Sequence, residues 1–278
     1  MTNSKLLLGL IAVICFTFIV CATPSKKPVD EGNFDGKYAL VIGNGNYENI
    51  SKLPSPKNDA RDVSNVLRQL GFNVELYVDL NLEQMETAID KFISTLSNNN
   101  TAEGFFYFAG QGLTINDFSY LTPIDSSANN NEHFIMRYYA MEKLFNKLIE
   151  ADNAVNVVVI DARFRRMTLP FFHGSIVTIP VAEKDAFPAG NDGLELLSQF
   201  TNDIFYLQAF LPGRLAGYVE GSRNSPFTRA LLKNITRPEI FTELVKDIMA
   251  DTLEFTNGQQ HPYFRGNIIN YENYIIKQ

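Results

Sequence analysis

The chain has 278 residues, of which 45% are hydrophobic and 20% charged, a balance that fits a globular domain and excludes a disordered one. Its formal net charge is −7, and no face rich in Lys and Arg stands out, which argues against nucleic acid as a partner because acidic surfaces repel phosphate backbones. Both cysteines, Cys15 and Cys21, precede residue 22, so the body contains neither a disulfide nor a thiol.

Lys5 is followed by an apolar run over residues 6–22. That is long for a signal segment and at the lower edge for a membrane span. Cys21 lies at the end of the run, where a bacterial lipoprotein signal places its lipid-modified cysteine, although Val20 is bulkier than such signals prefer. Three readings of residues 1–22 stay open: a lipoprotein signal with Cys21 as lipid anchor, a plain signal peptide, and an uncleaved anchor helix. Lys26 and Lys27 follow the run while only Lys5 precedes it, which in the anchor case would leave the body cytoplasmic. Residues 23–36 are too poor in apolar side chains to pack and read as a flexible tether. Residues 37–278 read as the folded domain.

Within it, strands and helices alternate. Residues 38–42 form a continuous apolar run ending at Gly43, as expected of a strand buried on both faces. A helix starts near Pro56 and presents Ala60, Val63, Val66, Leu67 and Leu70 on one side. Gly71 ends it, and Phe72, Val74 and Leu76 alternate as a second strand. Asn81 with Gln84 forms a capping box before a helix striped by Leu82, Met85, Ile89, Phe92, Ile93 and Leu96. Residues 105–109 are a third strand leading into Gly110-Gln111-Gly112, and a helix carries Met141, Leu144, Phe145, Leu148 and Ile149. Residues 155–160 give the strongest strand signal and end at Asp161-Ala162-Arg163. Residues 168–192 are proline-rich and irregular, 204–210 form another strand, and Ser225-Pro226 starts a helix with Ala230, Leu231 and Ile235 inward. The last helix uses Ile240, Leu244, Val245, Ile248 and Met249. This alternation predicts an α/β fold with a mostly parallel sheet covered on both faces. Residues 110–112 and 161–166 then fall at the carboxyl ends of strands, where functional groups of such sheets gather.

Gly43-Asn44-Gly45, with Asp79 after the second strand, invites a dinucleotide reading. Glu48 stands where the third glycine belongs, and the helix starts too late to cradle a pyrophosphate. His133, His173 and His261 show no ligand spacing, so neither metal nor cofactor is expected. No Gly-x-Ser-x-Gly elbow is present. Arg163, Arg165 and Arg166 form a short basic cluster at a strand end, either solvated or paired with Asp161, or else an anion or carboxylate site.

Five motifs occur together in order and register: residues 38–44 (YALVIGN), 58–60 (NDA), 108–112 (FAGQG), 159–163 (VIDAR) and 224–228 (NSPFT). With Pro212-Gly213 and Gln260-His261-Pro262-Tyr263 they resemble the bacterial caspase-like peptidases, relatives of the metacaspases, over roughly residues 37–270. The resemblance implies a caspase-like three-layer sandwich. It also implies a histidine between the two glycines of the third motif and a cysteine two residues after the aspartate of the fourth. Gln111 and Arg163 occupy those positions here. An amide takes no proton at ordinary pH and a guanidinium is no nucleophile, whereas the family chemistry needs a thiolate activated by an imidazole. Asp59 and Asp161 match the family's acidic pocket for basic substrate side chains.

The expectation is therefore a catalytically inactive caspase-like domain tethered in the cell envelope as a lipoprotein, with a periplasmic, secreted or membrane-anchored form as the alternative. It would act by binding a protein or peptide ligand, and one such ligand is an active relative that it regulates. The rival expectation is a caspase-family endopeptidase homologue with residual or different hydrolase chemistry. Arg163 is further expected to plug the pocket from within, through a bidentate pair near 3 Å to Asp59 or Asp161.

Overall fold

A computed structural model describes residues 36–115, 118–127, 135–167, 203–210 and 222–276. In chain order the elements are β1 (Lys37–Gly43), α1 (Pro56–Gln69), β2 (Asn73–Val78), α2 (Leu82–Ser97), β3 (Glu103–Ile115) and β4 (Phe118–Leu121). A short 3₁₀ turn (Ile135–Arg137) precedes β5 (Tyr139–Ala140), α3 (Met141–Ala151), β6 (Val155–Met167), β7 (Asp203–Gln208), α4 (Pro226–Asn234), α5 (Phe241–Phe255) and β8 (Tyr263–Asn267).

The main sheet runs β2-β1-β3-β6-β7-β8. Every neighbouring pair on this path is parallel except β7–β8, which is antiparallel. One face is covered by α1, α4 and α5, whose Ala60, Leu67, Leu231 and Ile248 pack against Val41, Phe105 and Val159. The other is covered by α2 and α3, whose Ile89, Phe92 and Phe145 pack against Leu40, Phe106 and Ile160. Alternate residues of β1, β3 and β6 feed opposite cores, which is why these strands read as unbroken apolar runs.

The helix boundaries follow their local chemistry. The Asn81 side chain accepts from the Gln84 backbone N–H at 2.9 Å, and the Gln84 side chain accepts from Asn81 N–H at 3.1 Å, closing the capping box. Gly71, at φ +88°, turns the chain from α1 towards β2.

The central strands overturn one expectation. The third and fourth long strands were expected to stop near residues 109 and 160, yet β3 and β6 stay in parallel register from Glu103↔Val155 to Ile115↔Met167. β1 ends opposite Ala109, and β4 takes its place along Gly112–Ile115 in antiparallel sense. Residues 110–112 are thus part of the strand. A Cβ at Gly112 would lie 2.5 Å from the Phe164 ring, so glycine there lets the two strands keep their spacing under that ring. The short strands β4, β5 and β8 lacked a readable pattern. The irregular segment 168–192, Pro212-Gly213 and residues 1–35, including Cys21, lie outside the described residues.

Candidate functional site

The acidic residues singled out in the sequence converge. Asp59, in the first turn of α1, is 1% exposed, and Asp161, on β6, is 8% exposed. Between them stands the start of α4. Ser225 caps that helix by accepting the Thr228 N–H at 2.9 Å. Its own N–H donates to Asp59 Oδ1 at 3.0 Å, and its hydroxyl donates to Asp161 Oδ2. Thr228 Oγ1 also donates to Asp161 Oδ2, at 2.6 Å, which leaves it to accept from the Tyr107 hydroxyl at 2.5 Å. One helix cap therefore ties both carboxyls to the sheet.

Burial pushes Asp59 up to about 8, and the nearby Asp161 adds to the rise. Burial also raises Asp161, against the pull of its bonds from Ser225 and Thr228. Two buried acids this close titrate as one unit and keep a proton near neutral pH. A cation entering beside them would displace that proton.

The two positions that the resemblance assigns to the dyad are direct register partners, Gln111 on β3 and Arg163 on β6. Partners on parallel strands sit about 4.8 Å apart with side chains on the same face. That face is the one carrying Asp161, two residues before Arg163. Gln111 is 6% exposed and held by two bonds: its backbone N–H donates to Tyr47 Oη at 2.6 Å and its Nε2 to the Ser51 carbonyl at 2.6 Å. A Cβ at Gly110 would lie 2.5 Å from the Tyr47 hydroxyl, so glycine is what admits Tyr47 to this rung. The amide thus pins the loop after β1 to the sheet.

Arg163 departs from expectation. Among the described residues no Arg163 nitrogen lies within 4.0 Å of either carboxylate. The reason is competition: the start of α4 already supplies Asp59 and Asp161 with donors at lower entropic cost than a long side chain would need. Arg163 instead lines a cleft of about 50 Å³ with Leu53, Ser55, Asp59, Asp161, Phe210 and Gln260.

Asp79 has a structural task. It sits at φ +56° and accepts from Gly45 N–H at 3.0 Å, Asn46 N–H at 2.9 Å and Asn46 Nδ2 at 2.9 Å, with Lys57 Nζ at 3.2 Å. Those bonds hold its carboxyl below the usual range and occupy the acceptors a ribose would need. Among the described residues no group of three His, Cys, Asp or Glu side chains is placed to hold a metal ion, and no helix is long and apolar enough to cross a membrane. Sequence reasoning missed Ser225 and Thr228 as carboxylate partners, it missed Tyr47, and it quoted Gln260 within a motif without placing it at the cleft. Only the Ser-Pro-x-Thr spacing at the start of α4 hinted at the first two.

This architecture, with an acidic cleft at the strand ends, is that of a caspase domain. The family model for the caspase domain matches residues 36–271, and the chain belongs to that family. The human mucosa-associated lymphoid tissue lymphoma translocation protein 1 is 30% identical over 195 residues, 68% of this chain, and its mouse homolog is 29% identical over 184 residues. The chain covers 23% of the human protein and 21% of the mouse one. Among solved structures, protein GSU0716 from Geobacter sulfurreducens superposes with a TM-score of 0.60 at 15% identity, over 87% of this chain and 97% of that one. The Drosophila initiator caspase Dronc superposes with a TM-score of 0.56 at 11% identity, over 87% of this chain and 83% of its own.

Proposed function

We propose that this is a catalytically silent caspase domain that works by binding a protein or peptide ligand through the acidic cleft between α1, β6 and α4. The observation that carries the reading is chemical: every cysteine of the chain precedes the matched region, so residues 36–271 hold no thiol to act as nucleophile. The residues at the two dyad positions add to it. The Gln111 amide is spent on Ser51, and Arg163 is a permanent cation. Loss of either member of such a pair already removes nearly all turnover. The retained carboxyls Asp59 and Asp161 suit a basic side chain, and the cell envelope is the proposed location on the pattern of residues 1–22.

The test is turnover of peptides with Arg or Lys at the cleaved position, with and without calcium, by the purified chain. None is expected. Hydrolysis that survives Gln111→Ala together with Arg163→Ala would overturn the reading, and Ser225, whose hydroxyl donates to Asp161, is then the group to replace. For the envelope, mass spectrometry of the mature N-terminus is expected to find a diacylglyceryl-modified Cys21. An intact N-terminus in membrane fractions would assign the run to an uncleaved anchor.

A further inference from the structure

Two arginines at the end of β6, Arg163 and Arg165, have no part in holding a cation at the cleft. Ala162 and Phe164 point into the core beneath α2 and α3, so Asp161, Arg163 and Arg165 share the opposite face of the strand. Successive members of this row stand about 6.6 Å apart. Arg163 is half-buried at the cleft and Arg165 is exposed beyond it. Elsewhere on the described surface Lys91, Lys143, Lys147, Arg223 and Lys233 have carboxylate partners. Among the described residues neither Arg163 nor Arg165 has one within 4.0 Å, although the chain carries a net charge of −7. Arg165 also has a floor. Its register partner on β3 is Leu113, whose own partner on β4 is Tyr120, and Tyr138 packs against the same small cluster. The charge of Arg165 acts against the burial that raises the Tyr138 phenol to about 12. An arginine beside apolar and aromatic groups covers them with its stem and keeps its guanidinium in water.

We propose that Arg163 and Arg165 form a carboxylate-binding strip beside the cleft, which recognises acidic side chains at the second and fourth positions of an extended peptide, counted from the residue held at the cleft. The inference rests on the cleft being the peptide site. An extended peptide repeats its side chains with the same period as β6, so its alternate residues meet Asp161, Arg163 and Arg165 one for one. Each guanidinium presents paired donors that match the two oxygens of a carboxylate. A lone inorganic anion would satisfy the two cations without using their alignment with the cleft.

The experiment is isothermal titration of the purified full chain with acetyl-Arg-Ala-Glu-Ala-Glu-amide and its counterpart with both glutamates replaced by glutamine, above the pH at which the carboxyl pair titrates. The reversed pair of sequences is measured alongside, because the strip sets spacing and not chain direction. In the better direction the glutamate peptide is expected to bind about fivefold to tenfold more tightly than the glutamine one, the sum for two partly exposed ion pairs. An isomer with adjacent glutamates, of equal net charge, should gain less. Arg165→Gln should reduce the gain by about twofold to threefold and leave the glutamine peptide unaffected. Arg165→Glu should instead favour a peptide with lysine in place of the terminal glutamate, an exchange that a purely structural arginine would not produce. Equal gains from both isomers, a gain that ignores Arg165, or inorganic phosphate binding as tightly as the peptide overturns the proposal. A glutamine peptide that binds through Asp161 with no gain from glutamate overturns the strip alone and leaves the cleft reading intact. Binding of no peptide overturns both.

Discussion

The two ends of the central sheet treat buried carboxyls in opposite ways. At the end where the strands begin, Glu103 has an ion pair with Lys37 at 3.3 Å and accepts from the Tyr274 hydroxyl, while Lys37 also donates to the Ile276 carbonyl at 2.9 Å. Asp203, at the start of β7, accepts backbone N–H groups from Ile269 at 2.5 Å, Asn270 at 3.0 Å and Tyr271 at 3.2 Å. Both acids are answered by the chain, and both clamp its final segment to the sheet. At the other end Asp59 and Asp161 face each other with hydroxyls and one N–H between them, and among the described residues no cation pairs with either. A carboxyl that serves only the fold is answered from within, Glu103 by a cation and Asp203 by a run of backbone N–H groups. A pair left short of positive charge at a cleft is suited to a ligand that brings it.

Removing the internal cation should have the largest effect. Lys37→Met strands Glu103, which is fully buried and which burial already raises to about 7 despite Lys37. At about pH 8, where Glu103 must ionise, the loss is expected to be about 3 kcal/mol by urea unfolding, in the range for breaking a buried pair. Near pH 5 Glu103 takes a proton and the loss should shrink. A deficit of equal size at both pH values would show that packing, not charge, links these ends.

The cleft pair should respond in the reverse sense. Asp59 is raised from an ordinary 3.8 to about 8 in the folded state, so the native protein binds this proton more tightly than the unfolded chain. Its contribution is therefore complete below about pH 4 and falls as pH rises through about 8. Asp59→Asn removes the liability, keeps an oxygen to accept from Ser225, and should unfold later than the wild type above about pH 8, by about 1–2 kcal/mol. The same variant should weaken binding of basic probes. A wild type that instead gains stability between about pH 5 and pH 8 would contradict the crowding of the two acids.

Much of this contrast is legible in the sequence. The apolar runs of β1, β3 and β6 fixed a sheet buried on both sides, and the caps at Asn81 and Ser225 marked true helix starts. Asp59 and Asp161 were found because their motifs stand in register with a known family. What stayed hidden has physical causes. Residues 110–115 and 162–167 remain strands because they pair with each other and with β4, a non-local bond pattern without a periodicity of its own. Gln260 owes its position to the Ala209 carbonyl, 51 residues away, which no spacing rule anticipates. Arg163 was expected to seek the nearest carboxylates, and the error lay in overlooking donors from α4, which is distant in sequence.

That error sets the smallest effect. With no ion pair to either aspartate, Arg163→Ala should change stability by no more than about 0.5 kcal/mol, the range of surface substitutions. An internal plug would have cost about 1–3 kcal/mol, because a partnered buried carboxylate would lose its donor. Binding should move instead. Arg163 lines the cleft and opposes any cation that approaches, so its removal should tighten a basic probe by about twofold to fivefold, as expected for one charge partly screened by water. Added salt should erode that gain, since it rests on unpaired charge at an open lip. A large loss of stability in Arg163→Ala, with probe binding unchanged, would mean that the guanidinium does close the pocket in solution, and the two ends of the sheet would then be alike.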